Sequence, residues 1–404
     1  MFNSFKRVFL DVPECPDCGP LPVNHFQNYL GNLLEVCLFS KIHLPSRLHS
    51  HSEKLLVRFF VFIKLISLEE NFDKTKISLR TTVFAEQAEK CGIRLRAFRG
   101  PKGYLNDFLM EVNGRTYLIE GLPRVEWLAA KETNQVDDKA FIREKLAKAG
   151  LPVAEGKSFS FINQKQAMEY GENLGFPLVV KPRLGSMSHH ITIAIKNQDE
   201  LKKAIKKALK YGPAFIVEKY LEGVHVYRAT VIDEEFVACA KRMPAHVIGS
   251  GKHTIAELIK IKNLDPRRAK PKQKNSTLFQ LVIDETSHKL LQNQGYDFSS
   301  VPKKDEIVFL QEKVILDLGA DLFEVTPKVH PDNIVLFRQV AKLFKIKLVG
   351  IDFLCEDIGR SWQEQKSALI ELNSLPYIDM HHFPTEGEPV NVAGKLCDMV
   401  LRYY

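Results

Sequence analysis

The sequence lacks any run long enough to cross a bilayer. Its most apolar stretch, LLVRFFVFIKLI at residues 55–66, is broken by Arg58 and Lys64. A span needs about twenty apolar residues, so a buried strand or core helix is expected there. The opening, MFNSFKRVFLDVPECP, has no apolar core of a secretory leader. Cysteine is sparse: seven residues, scattered and odd in number. That excludes a disulfide framework and predicts free thiols in a reducing, cytoplasmic setting. Cys15 and Cys18 alone are closely spaced. With no second such pair and no partner histidines, they read as a turn rather than a zinc site. His43, His49 and His51 read as solvated loop residues. Neither sign of charge dominates, with Lys+Arg 57 against Asp+Glu 49, a net of +8. So mild an excess suits an anionic small ligand and does not call for nucleic acid. There is no internal repeat and no low-complexity tract. GSGKHT, residues 249–254, is not a phosphate loop, because the glycine that motif needs five residues before Gly251 is His246.

What is present is an ordinary globular balance, 45% apolar and 26% charged over 404 residues, enough for two or three domains. Residues 1–70 mix short apolar runs with Pro, Cys and His and carry no assignment. From Thr81, TTVFAEQAEKCGIRLRAF predicts a helix stopped by Gly92 and then a strand. In DFLMEVNGRTYLIEG, Asn113-Gly114 between alternating apolar runs predicts a type I′ hairpin. A small α/β domain therefore closes near residue 130. A new helix starts in NQVDDKAFIREKLAKAGLPV, capped by Asp137 or Asp138 and ended by Gly150 before Pro152. A second capped helix, closed by Gly175 and Pro177, feeds the buried strand LVVK. NQDELKKAIKKALKYG predicts a helix capped by Asn197 with Glu200 three residues on. Leu201, Ala204, Ile205, Ala208 and Leu209 form its apolar face, and its five lysines form a solvated one. AFIVEKYL and YRATVID read as strands, 265–305 as polar loop, and HPDNIVLFRQVAKLFKI as a helix burying Ile334, Phe337, Ala341 and Phe344.

The chemistry concentrates in a few places. Lys181 ends a buried strand, a costly position for an ammonium unless an anion meets it. The loop RLGSMSHHI after it can offer backbone N–H groups to phosphate oxygens. FIVEKYLEG ends a strand in a form that suits an adenine slot. In ALIELNSLP, Glu371 and Asn373 lie two residues apart and so share one face of a strand. Asp352 sits alone in the apolar strand LVGIDFL. Three oxygen donors on two neighbouring strands suit a hard cation such as Mg²⁺.

In order along the chain, VDDKAFIREKLAKAGLPV, LVVKP, IVEKYLEGVHVYRATVID, KRMPAHVIGSGKHTIAELIKIKNLDPRR, VTPKVHPDN, GIDFLCEDI and IELNSLPYIDMHHFPTEG resemble the ATP-grasp superfamily. The nearer resemblance is to the ATP-grasp module of cyanophycin synthetases and of bifunctional glutathione-forming ligases, over about residues 80–404. The resemblance implies an α/β (α+β) fold in which two subdomains, 131–222 and 223–404, clamp ATP behind an N-terminal α/β domain at 1–130. It implies that Lys139 and Lys181 hold phosphates together with Gly185, Ser186 and Ser188. Glu218 and the backbone of Lys219 and Leu221 would meet adenine. Arg242 would approach the γ-phosphate and act with Lys181 in catalysis. Asp352, Glu371 and Asn373 would bind Mg²⁺, two ions, replaceable by Mn²⁺. His253 and Arg228 would contact substrate. His225 stands where the family carries its ribose-binding acid. The family's loop after KP has more glycines than this one. LQEKVILDLGADLFEVT, residues 310–326, holds Glu312, Lys313, Asp317 and Gly319 where cyanophycin synthetases carry an Arg- and Asn-bearing stretch, which predicts a different substrate. The implied activity is ATP-dependent amide formation between amino acids or short peptides through an acylphosphate. The alternative is a nucleotide-binding partner module with impaired catalysis. The implied partners are small-molecule acids and amines, with no nucleic acid and no membrane, in a chain that forms a homo-oligomer.

Overall fold

The computed structural model describes residues 65–125, 138–185, 189–271 and 275–404, together with Tyr29, Val136 and Gln273. Cys15, Cys18, the three histidines at 43–51, most of the 55–66 run, Asp137, Ser186 and Ser188 lie outside the described residues. Among the described residues, no helix is long and apolar enough to cross a membrane.

The first unit is an antiparallel meander of β1 (Ser67–Glu69), β2 (Arg94–Gly100), β3 (Gly103–Val112) and β4 (Arg115–Glu120), with helix α1 (Leu79–Lys90) packed on it. The predicted hairpin is there. Val112 pairs with Arg115, and Asn113 and Gly114 both take positive φ, 50° and 71°, as a type I′ turn requires. This unit does not close its own core. Phe84, Ala88, Phe108 and Met110 pack in one cluster with Leu396, Cys397 and Val400 of α9, the helix Val392–Tyr403.

The second unit opens at helix α2 (Lys139–Lys148), whose N-cap Asp138 accepts the amides of Ala140 and Phe141. Its strands β5 (Gly156–Ser160), β6 (Leu178–Pro182), β7 (Thr192–Ile195) and β8 (Ala214–Lys219) form a sheet in the order β5-β8-β6-β7. Helices α3 (Gln164–Leu174) and α4 (Gln198–Leu209) cover it, burying Ala167, Leu201, Ala204, Ile205 and Ala208 against Leu178, Val180, Phe215 and Val217. Asn197 caps α4 as its sequence predicts. Asn163, ahead of α3, makes no capping bond, and its carboxamide donates to Gln166 instead.

The third unit carries the large antiparallel sheet, in the order β15-β10-β9-β16-β17. Its strands are β9 (His225–Ile232), β10 (Phe236–Met243), β15 (Asp321–Glu324), β16 (Leu348–Cys355) and β17 (Ser367–Asn373). Tyr227, Ala229 and Val231 on one face meet helix α7 (Pro331–Phe344) through Phe337, Val340, Ala341 and Phe344. Ile142 and Leu146 of α2 join this core rather than that of the second sheet. Between β10 and β15 run the paired strands β11 (His246–Ile248) and β14 (Ile307–Phe309), helix α5 (Ile255–Asn263), the parallel pair β12 (Arg268–Ala269) and β13 (Leu278–Phe279), and helix α6 (Glu285–Asn293). The polar 265–305 stretch is thus not all loop. Asp284 and Ser287 form a reciprocal capping box that starts α6. A short helix α8 (Asp379–His382) follows β17.

Two outcomes test this packing. A Cβ at Gly156 would lie 2.5 Å from the Glu218 Cβ and 2.7 Å from the Val217 carbonyl across the β5–β8 ladder. Gly156→Ala should therefore cost about 1–3 kcal/mol, read by denaturant unfolding. His382 accepts the Ala393 amide at Nε2, 3.1 Å away, and burial together with nearby His381 holds its pKa down to about 4. The unfolded chain takes up this proton near the ordinary imidazole value, about 6.5. Stability should therefore fall as pH drops from about 6.5 to about 4, and His382→Gln should flatten that part of the curve.

Candidate functional site

The β-register assembles the site on one face of the large sheet. Asp352 in β16 lies opposite Glu371 in β17 on one side and opposite Arg228 in β9 on the other. Directly opposed residues share a face, and Asn373 is two residues beyond Glu371, so all three oxygen donors point the same way. Asp352 Oδ1 accepts from Arg228 Nε at 2.5 Å and from Arg242 Nη1 at 3.0 Å. Burial works against the Asp352 carboxylate, yet the two guanidiniums hold its pKa below the ordinary range. Gly350 makes this possible. A Cβ there would lie 3.2 Å from Arg228 Nη1 and 2.9 Å from Pro376. Arg228 Nη1, Arg242 Nε and Asn373 Nδ2 are buried and have no hydrogen-bond partner. Buried polar groups are normally paired, so orphans grouped at one place make this the candidate ligand site.

A second group lies on β6 and β8. Lys181 and Glu218, 6% and 5% exposed, form an ion pair at 2.6 Å. Lys219 is spoken for: its amide donates to the Glu155 carbonyl and its ammonium to the carbonyls of Gly175 and Phe176. An adenine edge could therefore use only its backbone carbonyl. Leu221 is half-buried beyond the strand end.

Lys139 joins the two groups. Its amide donates to the Arg183 carbonyl, its ammonium to the Gly185 carbonyl, and the same ammonium lies 3.8 Å from Glu371 Oε1. Asp138 beside it holds Arg183 through both carboxylate oxygens. Gly185 has φ of 110°, and any Cβ would strike the Tyr211 ring, so glycine is required there.

The remaining expected residues fall elsewhere. Arg228, expected at the substrate, lies on Asp352 beside Arg242. His225 is exposed at the start of β9, on the face opposite Arg228. His253 is exposed in a turn, its ring 3.1 Å from the Ser250 hydroxyl. The 310–326 stretch touches the second unit: Lys313 donates to the Ile191 carbonyl, just ahead of β7. Gly319 keeps φ at 95°, with the Leu281 backbone 2.6 Å from where a Cβ would be.

Sequence inspection missed two features. One is a wall of cations from the first unit. Arg80 Nη1 donates to the Leu375 carbonyl at 2.7 Å, and Arg124 Nη1 lies 3.4 Å from the Ser374 hydroxyl. Contacts 295 and 250 residues apart leave no local signal. The other is a buried relay in which His381 is 2.7 Å from Glu324 and 2.9 Å from Thr230. Its only sequence trace is the polar pair His381-His382 after an apolar segment.

Residues 145–252 match the family described as D-ala D-ala ligase C-terminus. The chain is 38% identical to cyanophycin synthetase of Trichormus variabilis over 264 residues, 65% of this chain and 29% of that protein. It is 30% identical over 267 residues to the glutathione biosynthesis bifunctional protein GshAB of Clostridium perfringens, 66% of this chain and 34% of that one. The structure of a bifunctional glutathione synthetase from Pasteurella multocida superposes with a TM-score of 0.60 at 22% identity, covering 82% of this chain and 44% of that one. The chain therefore has the ATP-grasp ligase fold. Within that class its sequence is similar to cyanophycin synthetase and GshAB, of whose length it spans about a third.

Removing one partner from a buried ion cluster leaves the others uncompensated. Asp352→Asn should destabilise the fold by about 3–5 kcal/mol in unfolding experiments without nucleotide or metal. A loss within error of zero would mean that the two guanidiniums do not depend on Asp352.

Proposed function

We propose that the chain is an ATP-dependent carboxylate–amine ligase that joins amino acids or short peptides through an acylphosphate and releases ADP. The observation that carries this is the grouping of two carboxylates, a carboxamide and four cations drawn from α2, β6, β9, β10, β16 and β17. The donor set fits Mg²⁺. Asp352 and Glu371 oppose each other, Asn373 adds a neutral oxygen, and all three are hard donors. Among the described residues no three His, Cys, Asp or Glu side chains gather around a metal, so this set depends on its carboxamide. Asp352, Glu371 and Asn373 would hold the metal, two ions by the family's pattern, with Mn²⁺ as a substitute. Bound there, it would offset charge on the phosphates.

The chain's own residues have distinct tasks. Lys139 and Lys181 are buried cations now paired with Glu371 and Glu218, and a polyphosphate would replace those partners. Gly185, with Ser186 and Ser188 after it, would present the phosphate loop. Glu218 and the Lys219 carbonyl would face the adenine. A substrate carboxylate oxygen would attack the γ-phosphorus in line, while Arg242 and Lys181 offset the charge that builds on the transferred group. The amine would then displace phosphate. The contact from Lys313 to Ile191 ties the phosphate loop to the 310–326 stretch, which helps exclude water from the acylphosphate. Small acids and amines are the partners, and association of the chain with itself is part of the proposal.

ADP release on mixing with Mg²⁺–ATP and pools of amino acids or dipeptides tests the activity. Turnover confined to one pool is expected, whereas nucleotide binding without turnover on any pool would favour a binding module. Glu371→Gln should cut turnover by about 10²-fold or more while the chain folds and binds nucleotide. Undiminished turnover in that variant would remove the metal assignment.

A further inference from the structure

Cys91 and Cys397 lie far apart in sequence and meet in the structure. Cys91 is the C-cap residue of α1, its amide bonded to the carbonyls of Gln87 and Ala88. Cys397 lies in the middle of α9. Helix α1 packs directly on α9, and both cysteines belong to the apolar cluster that the first unit shares with that helix. Their side chains hydrogen-bond to each other. A second latch lies at the end of α9, where the Tyr117 hydroxyl donates to the Tyr404 carbonyl and the two rings meet edge to face. The seam between the first unit and α9 thus holds two free thiols in contact.

The two thiols differ in access. Cys91 is half-buried, whereas Cys397 is fully buried. Burial, and then the neighbouring Cys91 sulfur, push the Cys397 thiol above its ordinary range. Cys91 is therefore the thiol that an outside reagent meets first, and Cys397 is held behind it. The other two described cysteines offer a contrast. Cys239 on β10 and Cys355 on β16 are both buried, and β9 runs between their strands. Two strand spacings come to about 9–10 Å, beyond the roughly 7 Å between Cα atoms that a disulfide can bridge.

We propose that Cys91 and Cys397 form a redox-sensitive dithiol, which a small-molecule disulfide oxidises to a bond that staples the first unit to α9. The Cys91 thiolate attacks one sulfur of the small disulfide, forms a mixed disulfide and releases one thiolate. The Cys397 thiol then gives up its proton, and its sulfur attacks the Cys91 sulfur and expels the second thiolate. Two thiol protons and two electrons thereby leave the protein, and one small disulfide becomes two thiols. An S–S bond of about 2.05 Å replaces the existing thiol–thiol hydrogen bond. The bond fixes α1 at both ends. Arg80 in its first turn already holds the Leu375 carbonyl beyond Asn373, and Cys91 at its other end becomes tied to α9.

The test treats the full, reduced chain with oxidised glutathione in the absence of air, alkylates the remaining thiols and maps the products by mass spectrometry. A peptide pair joined through Cys91 and Cys397 is expected, with Cys239 and Cys355 alkylated only after unfolding. Cys397→Ala should leave Cys91 as a stable glutathione adduct, and Cys91→Ser should leave Cys397 unmodified. Oxidation of the wild type should raise the midpoint of thermal unfolding by about 5 °C or more, and dithiothreitol should reverse the rise. The same treatment should not raise the midpoint of Cys91→Ser. Cys91 is partly exposed at a helix end, so Cys91→Ser remains informative if Cys397→Ala does not fold. A wild type that stops at the Cys91 adduct, Cys91 bonded to a cysteine other than Cys397, or no reaction at Cys91 would each overturn the proposal. A Cys91–Cys397 bond without the thermal shift would overturn the stapling.

Discussion

The site depends on one β-register. Asp352 must lie opposite Glu371 on one side and Arg228 on the other. A slip of one residue would turn every side chain of β16 to the other face. Asp352 would then enter the apolar layer with Phe337 and Val340, and Ile351 would face the guanidiniums. The register is secured because the opposite face of the sheet is a closed core, filled by Ile351, Phe353, Tyr227 and Ala229 against α7. Hydrophobic burial thus decides where the ionic groups go, without itself preferring any of them.

Charge compensation then sets the local arrangement. Lys139 meets Glu371, Lys181 meets Glu218, and Arg228 and Arg242 share Asp352. A buried ion alone is costly, and a paired one is close to neutral. Each cation therefore holds an anion that offsets its burial. Lys139 does most to unify the site, because its backbone bonds the loop after β6 and its ammonium reaches Glu371 on β17.

Much of the fold could be read locally. The Asn113-Gly114 hairpin, the Asp138 cap and the Asn197 cap are short-range chemistry, with turn residues and side-chain acceptors placed within a few positions of the groups they serve. Helix α6 was illegible because its apolar face is small, with Leu291 buried in an otherwise polar stretch. Asn163 makes no capping bond to α3, because its Oδ1 accepts from the Ser160 hydroxyl instead. The i, i+2 spacing of Glu371 and Asn373 was legible, since strand geometry alone places them on one face. The grip of Arg228 on Asp352 was not, because the two are 124 residues apart.

The sequence by itself determined the local elements, the apolar faces that must be buried, and the presence of oxygen donors at strand spacing near a lysine-ended strand. These follow from interactions within a few residues. Tertiary structure alone decided which donors share a cleft, that α2 joins the core of the large sheet, and that Arg80 and Arg124 reach the segment beyond Asn373. Those contacts form only after apolar faces hundreds of residues apart have packed, and no periodicity along the chain records that distance.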